Sequence, residues 1–144
     1  MLKNISQTLI PEFLRKNFGK ELFENLDQNQ HISVKGFAGS VPSILVAELF
    51  LTQKKDVLFI IDDKESSNYI TSELEEMIGE ENVLYFPETH LEPYQVEKTQ
   101  NANIVLRTEV LNRLNFDKKK KIIVATASSL SEKVLKKEDF KAIS

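Results

Sequence analysis

His31-Ile32-Ser33-Val34-Lys35-Gly36-Phe37-Ala38-Gly39-Ser40-Val41-Pro42-Ser43, followed by the apolar run 44–51, is the stretch on which the fold turns. Residues 31–35 alternate in polarity like a short strand, a glycine-containing loop follows, and the apolar run reads as a helix. Strand, loop and helix in that order frame a phosphate-binding loop, G-x-x-x-x-G-K-[ST]. On this frame Gly36 takes the first glycine, and Ser43 takes the Ser/Thr that would hold a magnesium ion. Val41 falls on the second glycine and Pro42 on the lysine. Proline supplies neither the charge that reaches the β- and γ-phosphates nor a backbone N–H. Valine disfavours the glycine-type backbone angles needed at its position. The loop residues Gly36, Gly39, Ser40, Pro42 and Ser43 are therefore expected to hold no nucleotide. A plain strand-to-helix turn, with Pro42 at a favoured first-turn position, stays open on the loop alone.

A length of 144 residues suits one domain with an ordinary core. Apolar residues at 41% and charged residues at 28% make a globular mixture rather than a disordered one. The net charge of -3 gives no general attraction to nucleic acid. The absence of cysteine excludes a disulfide scaffold and thiolate zinc sites. Polar Ser6-Gln7 follows the first residues where a signal peptide would be apolar, and no apolar run is long enough to span a membrane. A cytoplasmic protein is expected.

Two helical segments come first, with Leu9, Ile10, Phe13 and Leu14 on one face and Leu22, Phe23 and Leu26 after Gly19. From residue 31 onward strands and helices alternate. The strand 31–35 precedes a helix over about 42–53, a strand at Val57–Ile61 and a helix over about 64–78. Next come a strand at Val83–Phe86, a proline-bounded loop 87–98, a helix over about 99–115 and a strand 121–126. A further short helix is expected over 128–135. Such alternation predicts an α/β fold: a three-layer parallel sheet flanked by helices. Val57-Leu58-Phe59-Ile60-Ile61 is apolar on both sides, which predicts a strand covered on both faces. Ile70, Leu74, Met77 and Ile78 form a buried stripe on the helix 64–78, with Asp63 as its N-cap. The chain ends without a closing element, as a piece of a longer protein would.

Few residues invite catalysis. Asp62-Asp63 closes a strand, where α/β enzymes place metal-binding acids; without a lysine-bearing loop, capping of the next helix is the stronger reading. Glu88-x-His90-x-Glu92 mimics a metal cluster but lies in a loop with no set geometry. His31 reads as a partly exposed side chain. Ser40, Ser43, Ser128 and Ser129 lack an evident His–acid partner, so no catalytic or metal-ligating residue is assigned. The basic run Lys118-Lys119-Lys120-Lys121 reads as a solvated turn, with a phosphate-backbone contact the minor alternative. Arg107 and Arg113 have Glu109 and Asp117 as candidate partners, with service on a partner surface the open alternative.

Several of these segments together resemble a family. They are Gly36-Phe37-Ala38-Gly39-Ser40 with its Ala47-containing helix, Tyr85-Phe86-Pro87-Glu88, Leu91-Glu92-Pro93-Tyr94, the Arg107 helix and Ile122-Ile123-Val124-Ala125-Thr126. In this order and spacing they resemble the start of the bacterial transcription-repair coupling factor, Mfd, whose N-terminal module is similar to the damage-recognition protein UvrB. The resemblance covers the chain from about Leu9 to Phe140. It implies a P-loop NTPase-like, RecA/UvrB-like fold with a degenerate nucleotide loop. Residues 1–144 would be the first segment of the UvrB-like domain.

The resemblance also implies a role. The whole protein displaces stalled RNA polymerase at DNA lesions and recruits UvrA for nucleotide excision repair, as an ATP-dependent DNA translocase. This segment would be non-catalytic and without a cofactor, a scaffold and autoinhibitory module docked on other domains of the full-length protein. UvrA would be contacted mainly through the following inserted domain, and RNA polymerase and DNA through later domains, with no membrane partner. UvrB itself departs from this chain in two ways: its loop has an intact Gly-Lys-Thr, and it carries a long aromatic hairpin where this chain has only 87–98. The alternatives are the N-terminal fragment of a UvrB-like or helicase-like repair ATPase, or an unrelated α/β binding module. A response-regulator-like module would need a lysine after the last strand, where Ala127-Ser128 stands.

Overall fold

The computed structural model describes residues 25–26, 31–89 and 97–134. Its elements are α1 (Val41–Thr52), β1 (Val57–Ile61), α2 (Lys64–Ile78), a 3-10 turn (Glu80–Asn82), β2 (Val83–Phe86), α3 (Glu97–Phe116), β3 (Ile122–Thr126) and α4 (Ala127–Ser131). The two helical segments read before residue 30 lie outside the described residues except for Asn25 and Leu26, which are helical.

The sheet is open and all-parallel, in the order β1-β3-β2. Register aligns Val57, Ile122 and Val83 in one row and Phe59, Val124 and Tyr85 in another. Central β3, apolar from Ile122 to Ala125 and closed by Thr126, is buried along its whole length, as a strand between two neighbours should be. The two-residue period of a strand then sorts its side chains onto two cores. On one face Ile61, Val83, Ile122 and Val124 meet Val46, Ala47 and Phe50 of α1 and Leu74 of α2. Ile70, Met77 and Ile78 pack at the margin of that core, so the predicted stripe of α2 faces the sheet. On the other face Leu84, Phe86, Ile123 and Ala125 meet Val110 and Leu111 of α3. The fold is thus α/β, a small parallel sheet flanked by helices.

Local chemistry sets the helix ends. Asp63 accepts hydrogen bonds from Ser66 N–H at 2.9 Å and from the Ser66 hydroxyl at 2.7 Å, capping α2 as predicted. Gly79 closes α2 at φ 93°, a conformation that L side chains rarely adopt. Thr126 and Ser129 form a reciprocal capping box at the start of α4.

Three expectations are corrected. Residues 31–38 have no regular secondary structure, so the strand expected at 31–35 does not join the sheet. Only Ile32 and Val34 would gain burial there, and Val34 stays 38% exposed. Two apolar side chains do not offset the ordering of five residues at about 1–2 kcal/mol each. Second, β1 is covered on one face only: Leu58 and Ile60 are 52% and 53% exposed, because α3 packs over β2 and β3 and leaves the edge strand bare. Third, α4 stops at Ser131, short of the expected 128–135 helix, and Leu135 lies outside the described residues.

Candidate functional site

The loop before α1 has two glycines at positive φ and meets an internal acid at the start of the helix. Gly36 and Gly39 adopt φ 88° and 60°, the positive angles for which glycine is suited. Val41 is instead the first residue of α1, with Pro42 in its first turn. Ser40 occupies the N-cap position but makes no cap bond to the backbone. Its hydroxyl donates to one carboxylate oxygen of Glu73, and the Ser43 hydroxyl donates to the other at 2.5 Å. Glu73 belongs to α2, so this bridge ties the two helices on one face of the sheet. A carboxylate on the hydroxyls of the N-cap and first turn places negative charge at the positive end of α1. That is where a bound phosphate would sit.

A second polar cluster lies at the carboxyl ends of β2 and β3, the end of a parallel sheet where ligands bind. Pro87, Glu88 and Thr89 follow β2, while Thr126 ends β3. The Thr126 hydroxyl donates to Glu88 at 2.6 Å, and Asn103 of α3 donates to the Glu88 carbonyl at 2.8 Å. Arg107 of α3 reaches under these turns. Its Nη1 donates to the carbonyls of Pro87 and Ser129 at 2.8 and 2.9 Å and lies 3.4 Å from Glu132. The guanidinium also stacks 4.0 Å from the centre of the Phe86 ring. Burial lowers the Arg107 pKa, and the charge of Glu132 opposes that shift. Thr89 in turn donates to Glu132 through its backbone N–H, at 2.9 Å, and its hydroxyl.

Other candidate residues take structural places. Asp62 is exposed at the end of β1, and Asp63 is the α2 cap; its pKa is lowered, chiefly by the Ser66 N–H. His31 is exposed. Glu88 is engaged by Thr126, while His90 and Glu92 lie outside the described residues. Among the described residues no three His, Asp or Glu side chains converge as metal ligands would. Ser129 serves the capping box and Ser128 is exposed.

The basic run is only half solvated. Lys118 and Lys119 are exposed, but Lys120 caps the carboxyl end of α1 through the Phe50 and Gln53 carbonyls and lies 4.4 Å from the centre of the Phe50 ring. Lys121 is buried and paired with Asp117 at 3.2 Å. Arg107 pairs with Glu132 rather than Glu109, and Arg113 donates to the Glu81 carbonyl at 2.6 Å.

Glu73 and Glu132 are the residues that sequence reasoning passed over. Glu73 left a trace, an acid set between Ile70 and Met77 on the buried stripe of α2. Glu132 left none, because its partners come from the distant turn after β2 and from α3. Among the described residues no helix is long and apolar enough to cross a membrane. Comparison with protein-family models, with curated proteins and with solved structures finds no match to this chain.

Proposed function

We propose that this chain is the first segment of the UvrB-like domain of a bacterial transcription-repair coupling factor. It acts in the cytoplasm as a non-catalytic scaffold and autoinhibitory module, on a P-loop NTPase-like fold that has lost its nucleotide. The observation that carries this reading is the Glu73 carboxylate held by Ser40 and Ser43 at the start of α1. An internal anion there repels a phosphate, and Pro42 removes the lysine and the N–H that would hold one. A parallel sheet with helices on both faces, and Phe86-Pro87-Glu88 leading into the Arg107 helix, support the same reading.

The irregular backbone at 31–38 favours a second reading, an unrelated α/β binding module, since a nucleotide loop ordinarily follows a strand of the sheet. The two readings part in the whole protein. Deleting residues 1–144 from a coupling factor releases an inhibitory contact, so basal ATPase or translocation rises and UvrA recruitment is lost. Unchanged motor activity with intact UvrA recruitment would overturn the proposed role.

A further inference from the structure

β1 is an edge strand without the features that usually guard an edge. Val57-Leu58-Phe59-Ile60-Ile61 contains no charge and no proline, and its pairing with β3 runs without a bulge. The opposite edge, β2, is buried at three of its four residues and half-buried at the other. The Val57 N–H donates to the Lys121 carbonyl at 2.9 Å, which sets the phase of the β1–β3 ladder. Val57, Phe59 and Ile61 then turn their backbone groups toward β3, and Leu58 and Ile60 turn theirs outward. Among the described residues nothing bonds these outward groups. The same two residues carry the exposed side chains of the strand. Leu58 also lines a cavity of about 300 Å³ with Leu114, Leu130 and Val134, so exposed apolar surface continues from the edge over the α3 side of the sheet.

We propose that a second copy of this chain covers the edge, β1 pairing antiparallel with the same strand of the partner about a two-fold axis through Phe59. The strand is self-complementary in that arrangement. Leu58 stands opposite the partner's Ile60, and Ile60 opposite the partner's Leu58. These are the residues whose backbone groups point outward, so both pairs exchange N–H···O bonds as the hydrogen-bonded pairs of an antiparallel ladder do. Their side chains lie on one face and cover each other as cross-strand neighbours. Just before the strand, Lys55 comes opposite Asp63 of the partner subunit, which favours the pairing. Asp56 comes opposite the partner's Asp62, an unfavourable pair, although the Lys121 N–H already holds Asp56 at 2.9 Å. The two-fold contact closes on itself and leaves no β1 edge open to a third chain. A five-residue strand makes a small interface, so the dimer is weak and reversible. The pairing stands independently of the reading of the chain as a repair module, because β1 lies outside the loop 36–43.

The test is sedimentation velocity of the full 144-residue chain between about 10 μM and 1 mM, together with cysteine cross-linking. A concentration-dependent monomer–dimer equilibrium is expected. Ile60→Lys, which gives the edge a charge of the kind that guards natural edges, weakens dimerisation at least tenfold by about the same argument. The chain has no cysteine of its own, so an introduced pair reports cleanly. Opposed residues of a hydrogen-bonded pair stand about 5.5 Å apart between Cα atoms, within disulfide range, whereas diagonal neighbours are about 7–8 Å apart. Leu58→Cys mixed with Ile60→Cys should therefore cross-link faster than either variant alone. A monomer up to 1 mM would overturn the proposal and leave the edge to an unlike partner, about the weakest affinity such an interface can have. A dimer unaltered by Ile60→Lys would overturn it too, since another face would then be in contact. If Ile60→Lys does not fold, the cysteine pair decides, and cross-linking no faster in the mixture than in the single variants would count against this register.

Discussion

Lys121 shows how one residue binds chain order to stability. Its ammonium lies 3.2 Å from Asp117, which stands four residues earlier just after α3, and it donates to the Asp117 and Lys119 carbonyls. Its backbone N–H donates to Asp56 at 2.9 Å, ahead of β1. A buried cation without its counter-charge is strongly unfavourable. Asp117→Asn is therefore expected to lower the thermal midpoint at neutral pH. The Asp117 carboxyl is held below the usual carboxylate range, first by the Lys119 N–H and then by Lys121 and Arg113. A carboxyl depressed in the folded state contributes stability above its unfolded pKa and loses it as pH falls through the folded one. Wild type and Asp117→Asn should accordingly converge in acid, which thermal melts across pH would show. A constant gap at every pH would contradict the electrostatic account.

At the scale of elements, α2 carries both a cap that stabilises it and an acid that does not. Glu75 has a raised pKa, first from burial and then from the charge of Glu80. Here the sign reverses: ionising a group whose folded pKa is raised costs stability as pH climbs past the unfolded value, and the cost is complete above the folded one. Glu75→Gln should stabilise at pH 7, by less than about 1 kcal/mol for a group still partly open to solvent, and make no difference below about pH 4. Urea melts at the two pH values check it. The loop before α1 allows a constructive test. Val41→Gly with Pro42→Lys restores the missing groups but leaves Glu73 in place, so phosphate affinity should stay undetectable by calorimetry. Adding Glu73→Gln should bring binding into view; its appearance without that third change would show that Glu73 is not the obstacle.

What the sequence made legible divides along the same physical lines. The three described strands and the helices between them were readable because apolar runs of fitting length alternate with helical stripes, and Asp63 could be named as a cap because capping is local. The 31–35 alternation misled because pattern reports which residues can form a strand, not whether a neighbour exists to pair with it. Leu58 and Ile60 misled likewise, since an apolar edge strand reads like a central one. At the candidate sites the loop glycines, Pro42 and the serines were visible in sequence. The acids that meet them were not, because Glu73 and Glu132 acquire their roles through contacts 30 and 43 residues apart.

For the whole molecule, the proposed role rests on a small parallel sheet flanked by helices in which Glu73 meets the loop before α1. In that role a net charge of -3 gives the chain no general attraction to duplex DNA. The proposed module acts through surface contacts with other domains. The most direct measurement is an isothermal titration of the 144-residue chain with ATP and magnesium. The expected result is no saturable heat at millimolar nucleotide, because Glu73 occupies the start of α1 and Pro42 stands where a nucleotide loop has its lysine. Saturable binding at micromolar ATP, abolished by substitution within residues 36–43, would contradict it.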